Sequence, residues 1–328
     1  MLQKSTAISN SNIAFIKYWG NRDAARRIPL NNSISMNLDH ATTTTTVGFD
    51  ARLGDDHIVI GGVAANDAQR TRVIAHLDRV RALAHITTKA RVESCNSFPM
   101  GAGIASSASA FAALSLAATH AAGLELSERE LSILARQGSG SACRSIPGGF
   151  VEWHAGADSA SSFAESIAPP EYWDLRDVIA IVSREEKKVG STDGHAAATT
   201  SHFLAERLRA LPARIERVRH AILDKDLSLL GPAVEEDAIE LHLIAMTSVP
   251  PIFYWSPGMV RVIQAVQQWR SAGLAVYFTL DAGPNVHLIC EAQDAGRVVE
   301  LSRTVSDVQQ VIVNAPGDGT RLIGEHLF

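Results

Sequence analysis

Along the first half of the chain, apolar and polar positions alternate with the short period of strands, interrupted by stretches with the longer period of helices. Residues 12–17 read as a strand, and residues 33–38 (SISMNL) carry the alternation of a half-buried one. Residues 42–47 are β-branched throughout, and such stiff side chains favour an extended chain, here a solvated strand. Residues 67–83 place apolar side chains at helical spacing, and 89–95 return to a strand. A Gly- and Ser-rich run, 98–109, then leads into the alanine-rich stretch 110–122, which predicts a strand, a Gly-rich loop and a helix N-terminus in succession. A second helix is expected over 127–137, with Ser127 as N-cap and Glu130 at the capping-box position. It stops at Gly138, where a loop of small residues, 138–145, precedes a strand at 148–153. Residues 155–166 read as a surface connection, and 178–182 as another strand.

Beyond that point long helical patterns at 196–223, 227–246 and 257–272 alternate with strands at 275–280, 286–290 and 310–313. The pattern is that of an α+β protein. A length of 328 residues fits two domains or one two-lobed one, divided into 1–180 and 181–328. With 46% hydrophobic and 20% charged residues, such a chain buries a sizeable core.

Charge changes the picture of partners. Thirty Lys and Arg against 35 Asp and Glu leave a net charge of −5, which removes the long-range attraction that nucleic-acid binding relies on. No nucleic-acid partner is expected, while a local cationic pocket for a small anion stays open. Cys95, Cys143 and Cys290 lie far apart without metal-ligand spacing, which fits a reducing cytoplasm. No run of 18 apolar residues occurs, so neither a membrane span nor a membrane partner is expected.

Four segments carry candidate chemistry. Residues 99–109 (PMGAGIASSAS) combine a Gly-rich turn with a helix N-terminus, whose unpaired N–H groups suit phosphate; a plain turn is the alternative, and the ending GK[ST] of a Walker loop is missing. In 138–145 (GSGSACRS), Arg144 is either a two-pronged ligand for a carboxylate or phosphate, or a solvated surface arginine. Asp281, in TLDAGPN at the end of an apolar strand, is either turn chemistry or a carboxylate at a cleft edge. Lys17, Tyr18 and Trp19 close the strand that begins at Asn12, where a snorkelling lysine and partly buried aromatics would also be adequate.

Together these segments resemble the mevalonate-diphosphate decarboxylase branch of the GHMP kinase superfamily. The matching stretches are NIAFIKYWGNRD, IPLNNSISMNL with the threonine run, NSFPMGAGIASSASAFAAL, GSGSACRSIPGGFVEW, KKVGSTDGH and FTLDAGPN. They span nearly the whole chain. The resemblance implies a GHMP kinase fold with a ribosomal-protein-S5-like N-terminal lobe that binds ATP, a ferredoxin-like C-terminal lobe and an active site in the cleft between them. It implies ATP and Mg2+ as cofactors, a phosphorylated mevalonate as substrate and a homodimer. The reaction implied is phosphorylation of the tertiary 3-hydroxyl, followed by loss of phosphate and carbon dioxide to give an isopentenyl phosphate.

By the same resemblance Asp281 faces the 3-hydroxyl as base or orienting group, with Lys17 holding it ionised, and Arg144, helped by Asn12, grips the substrate carboxylate. Tyr18, Ser141 and Ser191 contact the 5-phosphate end. Gly101, Gly103, Ser106 and Ser107 cradle the ATP phosphates, with Ser107 on magnesium, and Lys187 and Lys188 close over ATP unless they are simply solvated. Glu240 and His242 are expected to be structural. Two departures stand out: members acting on the diphosphate usually read YWGK, where this chain has Asn21, and have Met where it has His195, close to the unusual Asp193. Losing a cation near the distal phosphate favours 5-phosphomevalonate, with Arg22 or His195 the candidates to compensate. The competing readings are a decarboxylase strict for the diphosphate, a 3-kinase that stops at the phosphorylated alcohol, and a ligand sensor on a kinase-like fold. Retention of Asp281, Arg144 and the phosphate loop speaks against the last two.

Overall fold

The computed structural model describes residues 4–98, 106–185 and 189–328. Its elements run in the order β1 (Lys4–Ile16), β2 (Asn21–Asp23), β3 (Ile28–Pro29), β4 (Ser33–Phe49), β5 (His57–Ile60), β6 (Val63–Ala64), α1 (Asp67–Ala84), β7 (Ala90–Asn96), α2 (Ser106–Ala121), α3 (Glu128–Gly138), β8 (Phe150–Trp153) and β9 (Ala164–Ala168). There follow β10 (Leu175–Ile181), α4 (Ser191–Ala197), α5 (Leu204–Asp224), α6 (Leu227–Met246), α7 (Pro257–Ser271), β11 (Val276–Leu280), β12 (Val286–Glu291), α8 (Ala292–Ser302), β13 (Gln310–Asn314) and β14 (Arg321–Ile323).

Two sheets organise these elements. The first has the order β14-β1-β4-β7-β5-β6, with β8 and β9 added alongside β4; the second has the order β11-β12-β10-β13. The expected division at 180/181 falls inside β10, which pairs antiparallel with β12 and β13 and so lies in the second sheet. Near its end the chain returns to the first sheet, where β14 pairs with β1.

Side-chain alternation sorts the core into layers. On β10, Ile179 and Ile181 face one apolar cluster while Val178 and Ala180 face another. The first of these clusters also holds Ile13, Phe15, Ile34 and Met36 of the first sheet, and Leu211, Ile215, Val218 and Leu230 of α5 and α6. The helix pair is therefore packed between the two sheets. On the far side of the first sheet lie α1, α2 and α3; the small side chains Ala112, Ala113, Ala117 and Ala118 are fully buried there and bring α2 close to the strands. Helix α3 has the expected capping box between Ser127 and Glu130.

Several expectations need correction. Residues 33–38 and 42–47 belong to one long strand, β4, and its threonines are not solvated: Thr43, Thr45 and Thr46 are buried. Their hydroxyls are satisfied across the sheet, Thr43 donating to Asn96 Oδ1 at 2.8 Å and Thr46 meeting Thr6 Oγ1 at 2.7 Å. The strand expected at 12–17 begins at Lys4, because its polar half is buried as well. The surface connection at 155–166 ends inside β9, with Ser162 buried against the indole N–H of Trp153 at 3.1 Å. The single helix expected over 196–223 is interrupted at 198–200 by a 3-10 turn, where the Thr200 hydroxyl donates to Ala197 O at 2.6 Å.

Candidate active site

Strand β1 ends at the lobe interface and delivers Lys17, only 2% exposed, to the carboxylate at the end of β11: Lys17 Nζ lies 2.7 Å from Asp281 Oδ1. Burial opposes the charge on Asp281, but Lys17, His287 and Arg144 outweigh it and hold the carboxyl below its ordinary range. The backbone of Lys17 is held from both lobes. Its N–H donates to Asp237 Oδ2 at 2.6 Å, and its carbonyl accepts from Asn31 Nδ2 at 3.1 Å. Asp237 is fully buried between Arg207 and Arg214, 3.0 Å from each. Glu240 joins the same network through Arg207 and Arg214, and His242 is buried and kept neutral, its pKa lowered to about 3 by burial and by Lys17.

The loop at 138–145 folds as a 3-10 turn, and the surface reading of Arg144 fails: the side chain is 3% exposed. Its guanidinium donates to Ser35 Oγ at 3.1 Å, Ser33 Oγ at 2.6 Å and Asn12 Oδ1 at 3.2 Å. Asn12 is fixed in turn by donating to Ser145 Oγ at 2.9 Å. These three partners are neutral, and among the described residues the guanidinium is in no ion pair. A guanidinium desolvated in that way is suited to receive an anion from the cavity.

Tyr18 is buried, its hydroxyl donating to Asn21 Oδ1 at 2.5 Å, and burial pushes its pKa up to about 12. His195 stacks on it with ring centroids 4.0 Å apart and accepts the Gly20 N–H at 2.9 Å through Nδ1. Two glycines make this fit: a Cβ on Gly140 would stand 2.4 Å from the Tyr18 ring, and one on Gly194 would stand 2.3 Å from the Trp19 ring. Arg22 is turned away and donates to Gly156 O at 2.6 Å, so of the two expected compensators for Asn21 only His195 reaches the site.

A cavity of about 480 Å3 brings the predicted residues together: Asn12, Lys17, Tyr18, Ser106, Ser107, Ser141, Arg144, Ser191 and Asp281 all line it. Ser106 and Ser107 open α2, and Ser107 Oγ lies 3.2 Å from Ser139 Oγ. Gly101, Gly103, Lys187 and Lys188 lie outside the described residues. Ser139, in the segment 138–145 but not singled out there, lines the cavity too, as do Arg27 and Arg72, which carried no sequence signal, since Arg27 sits in an ordinary polar run and Arg72 on a helix face that reads as solvated.

Residues 9–164 match the diphosphomevalonate decarboxylase-like N-terminal domain, and residues 177–320 the mevalonate 5-diphosphate decarboxylase C-terminal domain. The chain belongs to the mevalonate diphosphate decarboxylase family. Within this family and its GHMP kinase superfamily, a diphosphomevalonate decarboxylase of Danio rerio is 38% identical over 313 residues, covering 89% of this chain and 77% of the relative. A phosphomevalonate decarboxylase of Haloferax volcanii is 35% identical, covering 90% and 91%. The solved structure of MDDEF in complex with MVAPP, AMPPCP and magnesium superimposes with a TM-score of 0.93 at 39% identity, covering 98% of this chain and 99% of that one. The decarboxylase family thus shares both lobes with this chain, and with them the GHMP kinase fold.

Proposed function

We infer that this chain is an ATP-dependent carboxy-lyase of the mevalonate pathway, and that its preferred substrate is 5-phosphomevalonate. The decarboxylase activity follows from the family; the choice of phosphate number rests on one observation. Where diphosphate-specific members carry a lysine, Asn21 offers a neutral amide already engaged by the Tyr18 hydroxyl. A missing charge-assisted contact is worth about 1.5–3 kcal/mol, enough to remove the advantage of a second phosphate. The names of relatives fall on both sides, the Haloferax one for the monophosphate and the Danio one for the diphosphate.

The chemistry assigns each residue a task. Asp281, ionised beside Lys17, keeps Oδ1 on the ammonium and uses Oδ2 to orient the 3-hydroxyl or take its proton as that oxygen attacks the γ-phosphorus of ATP, with ADP leaving. Arg144 and Asn12 hold the substrate carboxylate. When the C3–O bond to phosphate breaks, the pair from the C1–C2 bond forms the C2–C3 double bond and carbon dioxide departs. Tyr18, Ser141 and Ser191 bind the 5-phosphate end.

The described residues fit nucleotide and magnesium: two hydroxyls at the start of α2, with Ser107 beside Ser139, suit phosphate oxygens and one protein contact to a hydrated cation. Magnesium bound there would neutralise charge on the phosphates. The deciding experiment supplies MgATP with mevalonate, its 5-phosphate or its 5-diphosphate and follows carbon dioxide. The monophosphate should give the highest kcat/KM, and a tenfold preference for the diphosphate would overturn the assignment.

A further inference from the structure

At the Ser107 end of the cavity stand two arginines that the reaction outlined above does not use. Arg27 closes the turn between β2 and β3, and Arg72 projects from the first part of α1. Each is tethered to the last turn of α3: Arg27 Nε donates to Gln137 O at 3.2 Å and Arg72 Nη2 to Gly138 O at 3.4 Å. Helix C-terminal carbonyls tolerate cations but do not neutralise them. Among the described residues neither arginine forms an ion pair. Nearby carboxylates are engaged elsewhere, Asp23 with Arg26 at 3.5 Å and Asp78 with Arg81 at 2.6 Å. Burial, and next the charge of Arg27, push the Arg72 guanidinium below its ordinary range, so the two cations repel across the cavity wall. The charge of Arg27 also reaches the Tyr18 hydroxyl, whose ionisation it favours.

The backbone adds a second, independent observation. Arg27 has φ of +53°, in the left-handed region where Gly or Asn is at home and other residues pay about 1 kcal/mol. A turn of this kind has no need of a long cationic side chain. Strain retained at a cavity wall points to a use for the side chain.

We propose that Arg27 is the cation that receives the 5-phosphoryl group of the substrate, with Arg72 behind it and the hydroxyls of Tyr18 and Ser139 at its flanks. The proposal rests on the reading that the substrate carries a 5-phosphate. The positive charge that Asn21 does not supply then comes from the next turn of chain, and a phosphate relieves the repulsion between the two guanidiniums.

The test uses Arg27→Asn and Arg27→Lys in the full chain. Asparagine suits the left-handed backbone, so this variant should melt at or above the wild-type temperature, which separates binding from folding. It should raise KM for 5-phosphomevalonate about tenfold or more, the size of one lost charge-assisted contact, while KM for ATP changes less than twofold. Arg27→Lys should recover part of the loss. A rise in KM for ATP alone would reassign the arginine to the nucleotide, and unchanged values for both would overturn the proposal. Calorimetric titration of 5-phosphomevalonate into wild type and Arg27→Asn, without ATP, reads the same contact apart from turnover. If the wild type released no carbon dioxide from any mevalonate ester, the functional reading would fail, whereas equal titration affinities would sink the role of Arg27.

Discussion

The side chain of Asp237 accepts a hydrogen bond from the backbone N–H of Lys17 at 2.6 Å, so a helix of the second lobe holds the residue whose ammonium pairs with Asp281. Asp237 also separates two buried guanidiniums, those of Arg207 and Arg214. Asp237→Ala would remove the one fully buried carboxylate between the two cations, leaving Arg207 only Glu240 and Arg214 only Glu236 and Glu240 as ion-pair partners among the described residues, and should cost about 3 kcal/mol of stability, measured by urea unfolding at neutral pH.

Lys17 sets the ionisation of Asp281. With Lys17→Met, only His287 and Arg144 still oppose the effect of burial, and the carboxyl takes up its proton at higher pH than in the wild type. The acid limb of kcat/KM should move to higher pH, alongside a fall in the plateau. A limb that stays in place would mean that another group governs it.

Arg144 is expected to act through the substrate's carboxylate. Arg144→Gln should slow carbon dioxide release by about 10²-fold or more, the range for removing a preorganised electrostatic contact, while binding of ATP is kept. Parallel assays of ADP and carbon dioxide check the split: ADP in excess of carbon dioxide places Arg144 in the elimination step, and equal rates place it in substrate binding.

Asn21→Lys restores a cation beside the Tyr18 hydroxyl. It should raise kcat/KM for the 5-diphosphate relative to the monophosphate by about tenfold, equivalent to about 1.4 kcal/mol. Competition between the two esters in one reaction measures the ratio directly.

Two histidines make stability depend on pH. His76, bonded to Ser115 at 2.8 Å, and His242 are buried with pKa values lowered to about 3. Unfolded, each titrates near its ordinary value of about 6.5, so below that pH the unfolded chain binds protons that the folded chain refuses. Stability is therefore full above about pH 6.5 and falls as pH drops towards 3, by about 1.4 kcal/mol per pH unit for each histidine. Urea midpoints at pH 7 and pH 5 give the slope, and His242→Phe should reduce it.

Much of this arrangement was legible in the amino-acid order. Residues 227–246 have the bounds of α6, and Ser127 with Glu130 marked the start of α3, because hydrophobic period and capping are local properties. The predicted site residues that the structure describes share one cavity because each sat in a motif. What escaped depends on pairing across the fold. The buried threonines of β4 look polar until Asn96, Ser94 and Thr6 are placed opposite them. Helix α8 and strand β14 went unread as short segments of 11 and 3 residues, and Arg27 and Arg72, 45 positions apart, meet only through the last turn of α3.

Strand β14 carries a last consequence. It is bonded to β1, the earliest strand described, with Thr6 opposite Ile323. During synthesis the edge of β1 must therefore wait until residues 321–323 have been made before this neighbour exists. Long-range pairings of this kind slow folding and leave a strand edge open to strangers. A nascent chain arrested before residue 321 should consequently engage chaperones more readily than one that includes β14.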